Sequence, residues 1–174
     1  MAVTMTVEDG TIVADANSYT TVDEFKAYWD NRGFDYSSYT DDQISIALIK
    51  ATDYLENRWG GKYKGRIEDD DQVLSFPRLS LYDLAGRLVE GIPNKLKYAQ
   101  IEYAKRALEE ELTADPTTDE SGAPIISKTE TVGPITESVQ FGNGGLATKY
   151  KSYPAADDYL RDYVNGYGGG RTMR

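Results

Sequence analysis

The chain has 174 residues, with 29 Asp and Glu against 19 Lys and Arg, a formal net charge of −10, and neither His nor Cys. A chain of roughly 150 residues buries about 68–70 % of its unfolded surface, so this length suits one domain with a real core. Without thiol or imidazole there can be no disulfide, Cys/His zinc site, thiol nucleophile or Ser-His-Asp triad, so composition argues against most enzymes.

The first helix is signalled after Asn17-Ser18-Tyr19. Thr21 and Glu24 have the spacing of a capping box, and Val22, Phe25 and Trp29 recur at helical spacing until Gly33. A second box, Thr40-Asp41-Asp42-Gln43, opens a longer helix. Its stripe is Ile44, Leu48, Ala51, Leu55 and Trp59, and Gly60-Gly61 ends it. Residues 60–92 are punctuated by glycines and Pro77 and carry the acidic run Glu68-Asp69-Asp70-Asp71. They read as an extended excursion with room for a small hairpin, fixed back onto the body at Phe76-Pro77-Arg78.

Pro93 stands where the first residue of a third helix belongs, with Leu96, Ala99, Tyr103 and Ala107 as its buried stripe behind Ile92. This helix is expected to run to about Leu112. Glu109, Glu110 and Glu111 then lie near its negative end, which favours a solvated or partner-facing terminus. Residues 113–124 read as a linker. Residues 125–141, rich in Thr, Val and Ile, favour extended structure, with Pro134 restricted to an edge, and Gly142-Asn143-Gly144-Gly145 breaks the pattern. A short last helix is expected over residues 154–164.

The expected fold is mainly α. It is a small helical bundle of three main helices plus a short C-terminal helix, with an extended/β excursion and a flexible C-terminal arm. One domain spans residues 1–164, with an extended loop over 60–92 and an extended segment over 123–145. The arm is 165–174. No apolar run approaches the roughly 20 residues of a membrane span, and the first ten residues lack the pattern of a signal peptide, so a soluble protein on the cytoplasmic side is expected.

The acidic balance bears on partners. Duplex DNA is gripped by exchanging counterions for Lys and Arg, which an excess of ten negative charges opposes unless the positive charge is segregated. Residues 1–59 hold 11 acids and 4 bases, while 60–100 hold 6 and 7, so the bases gather in the centre without forming a basic arm.

No pattern singles out a catalytic, metal or cofactor site. The run Glu68-Asp69-Asp70-Asp71 lacks the alternating ligands and central glycine of a calcium loop and reads as a solvated acidic loop. Gly142-Asn143-Gly144-Gly145 lacks the Lys-Ser/Thr of a phosphate loop. The 14 tyrosines could stack on bases, but several, such as Tyr28, Tyr54 and Tyr103, fall on helices where packing is the commoner use. The one cluster of cations with an aromatic is Lys62, Tyr63, Lys64 and Arg66, followed at once by four acids. Taken by itself, the tail Tyr167-Gly168-Gly169-Gly170-Arg171-Thr172-Met173-Arg174 reads first as a disordered terminus and second as an arm that orders on a partner.

Several stretches in order carry a resemblance. They are Val7-Glu8-Asp9-Gly10, Ala16-Asn17-Ser18-Tyr19, residues 47–55 reading Ala-Leu-Ile-Lys-Ala-Thr-Asp-Tyr-Leu, Trp59 with Gly65, Phe76-Pro77-Arg78, Ile92-Pro93 and Val132-Gly133-Pro134-Ile135. Together they resemble the head-tail connector, or adaptor, proteins of tailed bacteriophages, a family often labelled as DnaT-like single-stranded DNA-binding proteins. The resemblance implies a small helical protein, about twelve copies of which close a ring beneath the portal by repeating one heterologous contact. Its partners would be the portal protein, neighbouring copies of itself and the next neck or tail component, with genomic DNA passing through the channel. It would reside at the head-tail junction of the virion after assembly in the host cytoplasm.

By the same resemblance Tyr167, Arg171, Thr172, Met173 and Arg174 form a portal-docking arm. The excursion offers Lys62, Tyr63, Lys64, Arg66, Phe76 and Arg78 for subunit or tail-side contacts, an assignment that rests on its irregularity. The alternative is a replication accessory that binds single-stranded DNA, which needs a groove combining bases with exposed aromatics.

Overall fold

The structure is a computed structural model that describes residues 3–113 and 150–166, and the backbone of residues 125–131 and 136–141. The chain divides into two compact units, Met1–Leu112 with Ser152–Arg174, and Thr113–Lys151. In the second unit β3 (Ile125–Thr131) pairs antiparallel with β4 (Thr136–Phe141), Thr131 opposite Thr136, with a register irregularity between Ile125 and Ser127. Pro134 and Gly142 to Gly145 lie outside the described residues.

The first unit is mainly α. Both sequence-predicted capping boxes close. Glu24 N donates to Thr21 Oγ1 at 3.1 Å while Thr21 N donates to the Glu24 carboxylate at 2.8 Å, starting α1 (Val22–Asp30). Thr40 and Gln43 repeat the exchange at α2 (Asp41–Trp59), which continues into a single 3₁₀ turn, Gly60–Lys62. Each box satisfies two of the amides that a helix start leaves without intrahelical partners.

α3 spans Asn94–Ala107 and differs from expectation at both ends. Pro93 is the N-cap, with extended backbone (φ −70°, ψ 139°), and its carbonyl accepts from Leu96 N and Lys97 N. The C-terminus falls five residues before Leu112, where the amides of Glu109 and Glu110 both turn back onto the Arg106 carbonyl. Three successive carboxylates at the negative end of a helix dipole favour this tightening over another helical turn. α4 (Pro154–Leu160) also stops short of residue 164, because Val164 bridges to Tyr63 instead.

α2, α3 and α4 form the packed body. Leu48, Leu55, Leu96, Ile101 and Leu160 are fully buried, each contributing about 1.5–3 kcal/mol of transfer free energy. A polar hub joins the N-terminal segment to them. Gln100, fully buried on α3, accepts from Tyr19 N at 3.1 Å and Thr20 Oγ1 at 3.0 Å, and donates to Ser18 Oγ, the Leu48 carbonyl and Thr52 Oγ1.

The early motifs have architectural roles of the same kind. Glu8, 2 % exposed, gathers the amides of Gly10, Ile12 and Val13 on its carboxylate. Asn17 ties Thr6 N and the Thr4 carbonyl to its side chain.

The excursion contains a two-residue ladder, β1 (Arg66–Ile67) against β2 (Arg78–Leu79). Gly65, at φ +71°, precedes it. A Cβ there would lie 2.5 Å from the Leu79 carbonyl oxygen, so only glycine lets the strands approach. Phe76, before a cis Pro77, is fully buried against the rings of Tyr19, Tyr63 and Tyr163, which fixes the excursion to the body as expected.

Candidate functional site

The cluster singled out in the sequence folds inward. Arg78 Nε donates to the Lys64 carbonyl at 2.7 Å, and its two terminal nitrogens donate to the carbonyls of Ser75 and Gly65 at 3.0 and 3.1 Å. A guanidinium has five donors in a rigid fork, which suits it to gathering the carbonyls of an irregular loop. Lys64 Nζ donates to the Asp162 carbonyl at 2.8 Å. Tyr63 is 5 % exposed and lies in edge contact with Phe76, and burial pushes its phenol well above the ordinary tyrosine range.

Lys62 and Arg66 remain at the surface, and the Lys62 ammonium lies 5.0 Å from the Trp59 ring centre. Glu68 to Asp71 make an exposed turn in which Gln72 accepts from Glu68 N and Asp69 N. Thus Tyr63, Lys64, Phe76 and Arg78 hold the excursion together, and only Lys62 and Arg66 of the six face outward. Tyr167, Arg171, Thr172, Met173 and Arg174 lie outside the described residues.

Beneath the excursion sits a buried carboxyl. Glu56 accepts from the Tyr19 hydroxyl and from both the amide and hydroxyl of Ser75. Burial raises its pKa, against the opposing pull of these bonds and of Arg78. On the other side of α2, Arg58 pairs with Asp157 of α4 at 2.7 Å, and Asp157 also accepts from the Tyr103 hydroxyl. Burial pushes the nearby Tyr54 phenol up to about 12.

A different constellation opens to solvent between α1 and α3. A cleft of about 280 Å³ is lined by Glu24, Tyr28, Asn31, Arg32, Lys97 and Tyr98. The Arg32 guanidinium lies 3.5 Å over the Tyr28 ring and donates to the Tyr28 carbonyl. The Tyr28 and Tyr98 rings are 5.2 Å apart and tilted by 42°, and Tyr159 of α4 closes on Tyr98 edge-on at 5.7 Å. Lys97 pairs with Glu24 at 2.7 Å. Burial, with hydrogen bonds to Tyr159 and Glu102, raises the pKa of the Tyr28 hydroxyl, which donates to Glu102.

The cleft presents the exposed Arg32 guanidinium with the half-buried Tyr98 ring and Lys97, whereas Tyr28 is 5 % exposed and lies under Arg32. Sequence reasoning missed it because Tyr28 and Tyr98 lie 70 residues apart. The legible signal was the four-residue step from Tyr28 to Arg32, which stacks both on one face of α1.

A family model described as "Putative DnaT-like ssDNA binding protein" matches residues 3–174. The chain belongs to this family. In the DnaT-like family model the match includes the N-terminal Glu8 loop, the helical body and the C-terminal tail alike. No curated protein matches the chain, and no solved structure matches it.

Proposed function

We propose that this DnaT-like family member is a structural head-tail adaptor of a tailed phage, a ring-forming neck protein with no catalytic role. The observation that carries this reading is the inward use of the central cations. Arg78 and Lys64 are bound to backbone carbonyls, and the net charge of −10 is left to a surface that DNA phosphates would avoid. Such a surface suits a channel through which DNA slides. The ordered series of motifs from Val7 to Ile135 supports the same assignment, and Glu8, Asn17, Phe76 and Arg78 in those motifs are spent on building the body.

The test is quantitative mass spectrometry of purified particles of the phage that encodes the chain. A copy number close to that of the portal protein is expected. Absence from particles, with abundance in infected cells, overturns the adaptor reading.

A second reading has the family's own description in its favour: binding of single-stranded DNA. The cleft of Tyr28, Arg32, Lys97 and Tyr98 is where it would act, since base–aromatic stacking contributes about 1–3 kcal/mol per base. Fluorescence anisotropy of a labelled oligothymidylate at physiological salt decides between them. Tight binding by the wild type that Tyr98→Ala and Arg32→Ala abolish establishes the second reading. No saturable binding leaves the adaptor.

A further inference from the structure

Among the described residues, two apolar features of the first unit lack a partner within it. One is a rigid tip at residues 82–88. Tyr82 and Leu88 bridge, Val89 N donates to the Leu81 carbonyl, and Asp83 clamps the turn by accepting from the amides of Ala85 and Arg87 at 2.9 Å each. On this frame Tyr82, Leu84 and Leu88 are 51, 62 and 53 % exposed. Holding three large apolar side chains in water on an ordered turn is unusual where a loop could be polar throughout.

The other feature is a groove of about 160 Å³ between the start of α2 and the end of α3, lined by Tyr39, Gln43, Ile46, Ala47, Ala107 and Leu108. Ile46 at its edge is 43 % exposed. A hollow of about 150 Å³ is large enough to take up a benzene ring.

The two features sit at opposite ends of one helix pair. Ala47 flanks Ala107 while Leu48 and Thr52 meet Gln100, so α2 and α3 run antiparallel. The tip is anchored where α2 ends and α3 begins, through Gly65 against Leu81 and through Pro93. The 14 residues of α3 alone put about 20 Å between tip and groove at 1.5 Å per residue. The tip therefore cannot reach the groove of its own chain, whereas the tip of a second copy can.

Charge follows the same polarity. Arg87, beside Leu88, pairs with Asp83 yet keeps 79 % of its side chain exposed, while Asp42 and Glu109, both exposed, are chain neighbours of the groove-lining Gln43 and Leu108.

We propose that the 82–88 tip of one copy seats in the α2–α3 groove of the next, with Leu84 and Leu88 against Ile46 and Arg87 meeting Asp42 and Glu109. The contact is heterologous, so an open series keeps one free groove at one end and one free tip at the other, and it grows until it closes on itself. This inference rests on the adaptor reading and names the surface by which its copies meet.

The chain has no cysteine, so single thiols can be placed at will in the full-length protein. Leu84→Cys and Ile46→Cys chains are mixed and treated with a short bismaleimide. A covalent dimer is expected from this pair, none above background from Leu84→Cys with Val73→Cys, which is exposed elsewhere on the excursion, and loss of the dimer when Leu88→Asp is added. Equal yields from both pairs, or a yield indifferent to Leu88→Asp in chains whose circular dichroism is native, overturn the contact. If particles hold the chain at the portal's copy number but the thiols do not cross-link, only the contact falls. If the thiols cross-link and particles lack the chain, the adaptor reading falls and the contact stands.

Discussion

Arg78 donates its Nε hydrogen to the carbonyl oxygen of Lys64 at 2.7 Å, so a residue of the cation and aromatic cluster is joined through its backbone to a second cation 14 residues on. Replacing Arg78 by Ala leaves the carbonyls of Ser75, Lys64 and Gly65 without their donor. A loss of about 2–3 kcal/mol is expected from urea unfolding, since hydrogen bonds to charged groups contribute about 1.5–3 kcal/mol. Lysine should rescue little of it, because an ammonium cannot fork to three carbonyls. Full rescue by Arg78→Lys would show that charge alone matters there.

Gln100 is a second point of high cost. Gln100→Leu keeps the volume close but strands the buried Tyr19 N and Thr20 Oγ1. Each unsatisfied group costs about 1–3 kcal/mol, so a loss of about 3 kcal/mol or more is expected, together with faster amide exchange across residues 18–20. Wild-type stability in this variant would mean that water can replace the amide.

The buried pair of Arg58 and Asp157 links α2 to α4. The side chains are 12 and 4 % exposed. Asp157→Ala should cost about 3–5 kcal/mol, because it leaves a guanidinium uncompensated and the Tyr103 hydroxyl without its acceptor. The double variant with Arg58→Met should recover part of that loss. A double-mutant cycle with no coupling would place the energy elsewhere.

Glu56 sets a pH dependence of definite sign. Its pKa in the folded chain is raised above the usual 4.5, so the folded state holds more protons there than the unfolded one. Stability from this group is therefore present at acid pH and lost as pH rises from about 4.5 through the folded pKa. Glu56→Gln cannot titrate, so the stability advantage of wild type over this variant should shrink between pH 4.5 and 7 in urea titrations. An advantage that grows over that range would mean that the bonds from Tyr19 and Ser75 outweigh burial.

Local signals in the sequence were sufficient for the starts of α1 and α2 and for the class of fold. Thr21 with Glu24 and Thr40 with Gln43 act within four residues, so the chain's own chemistry decides α1 and α2 wherever they are packed. The end of α3 was less legible. The stripe through Ala107 continues smoothly to Leu112, and the choice between a helix and a tight turn at Glu109 depends on dipole and solvent terms smaller than the packing terms that the stripe reports.

What tertiary structure alone decided is which polar groups are free. In sequence, Lys64, Arg66 and Arg78 are equivalent cations, and Tyr63 and Tyr98 equivalent aromatics. Folding buries Tyr63 and Tyr28, binds Lys64 and Arg78 to carbonyls up to 98 residues away, and leaves Arg66, Arg32 and part of Tyr98 in contact with solvent. A hydrogen bond or a ring contact is decided by distances of a few ångströms between residues that the chain separates by dozens, and the pattern of residue types carries no record of that separation.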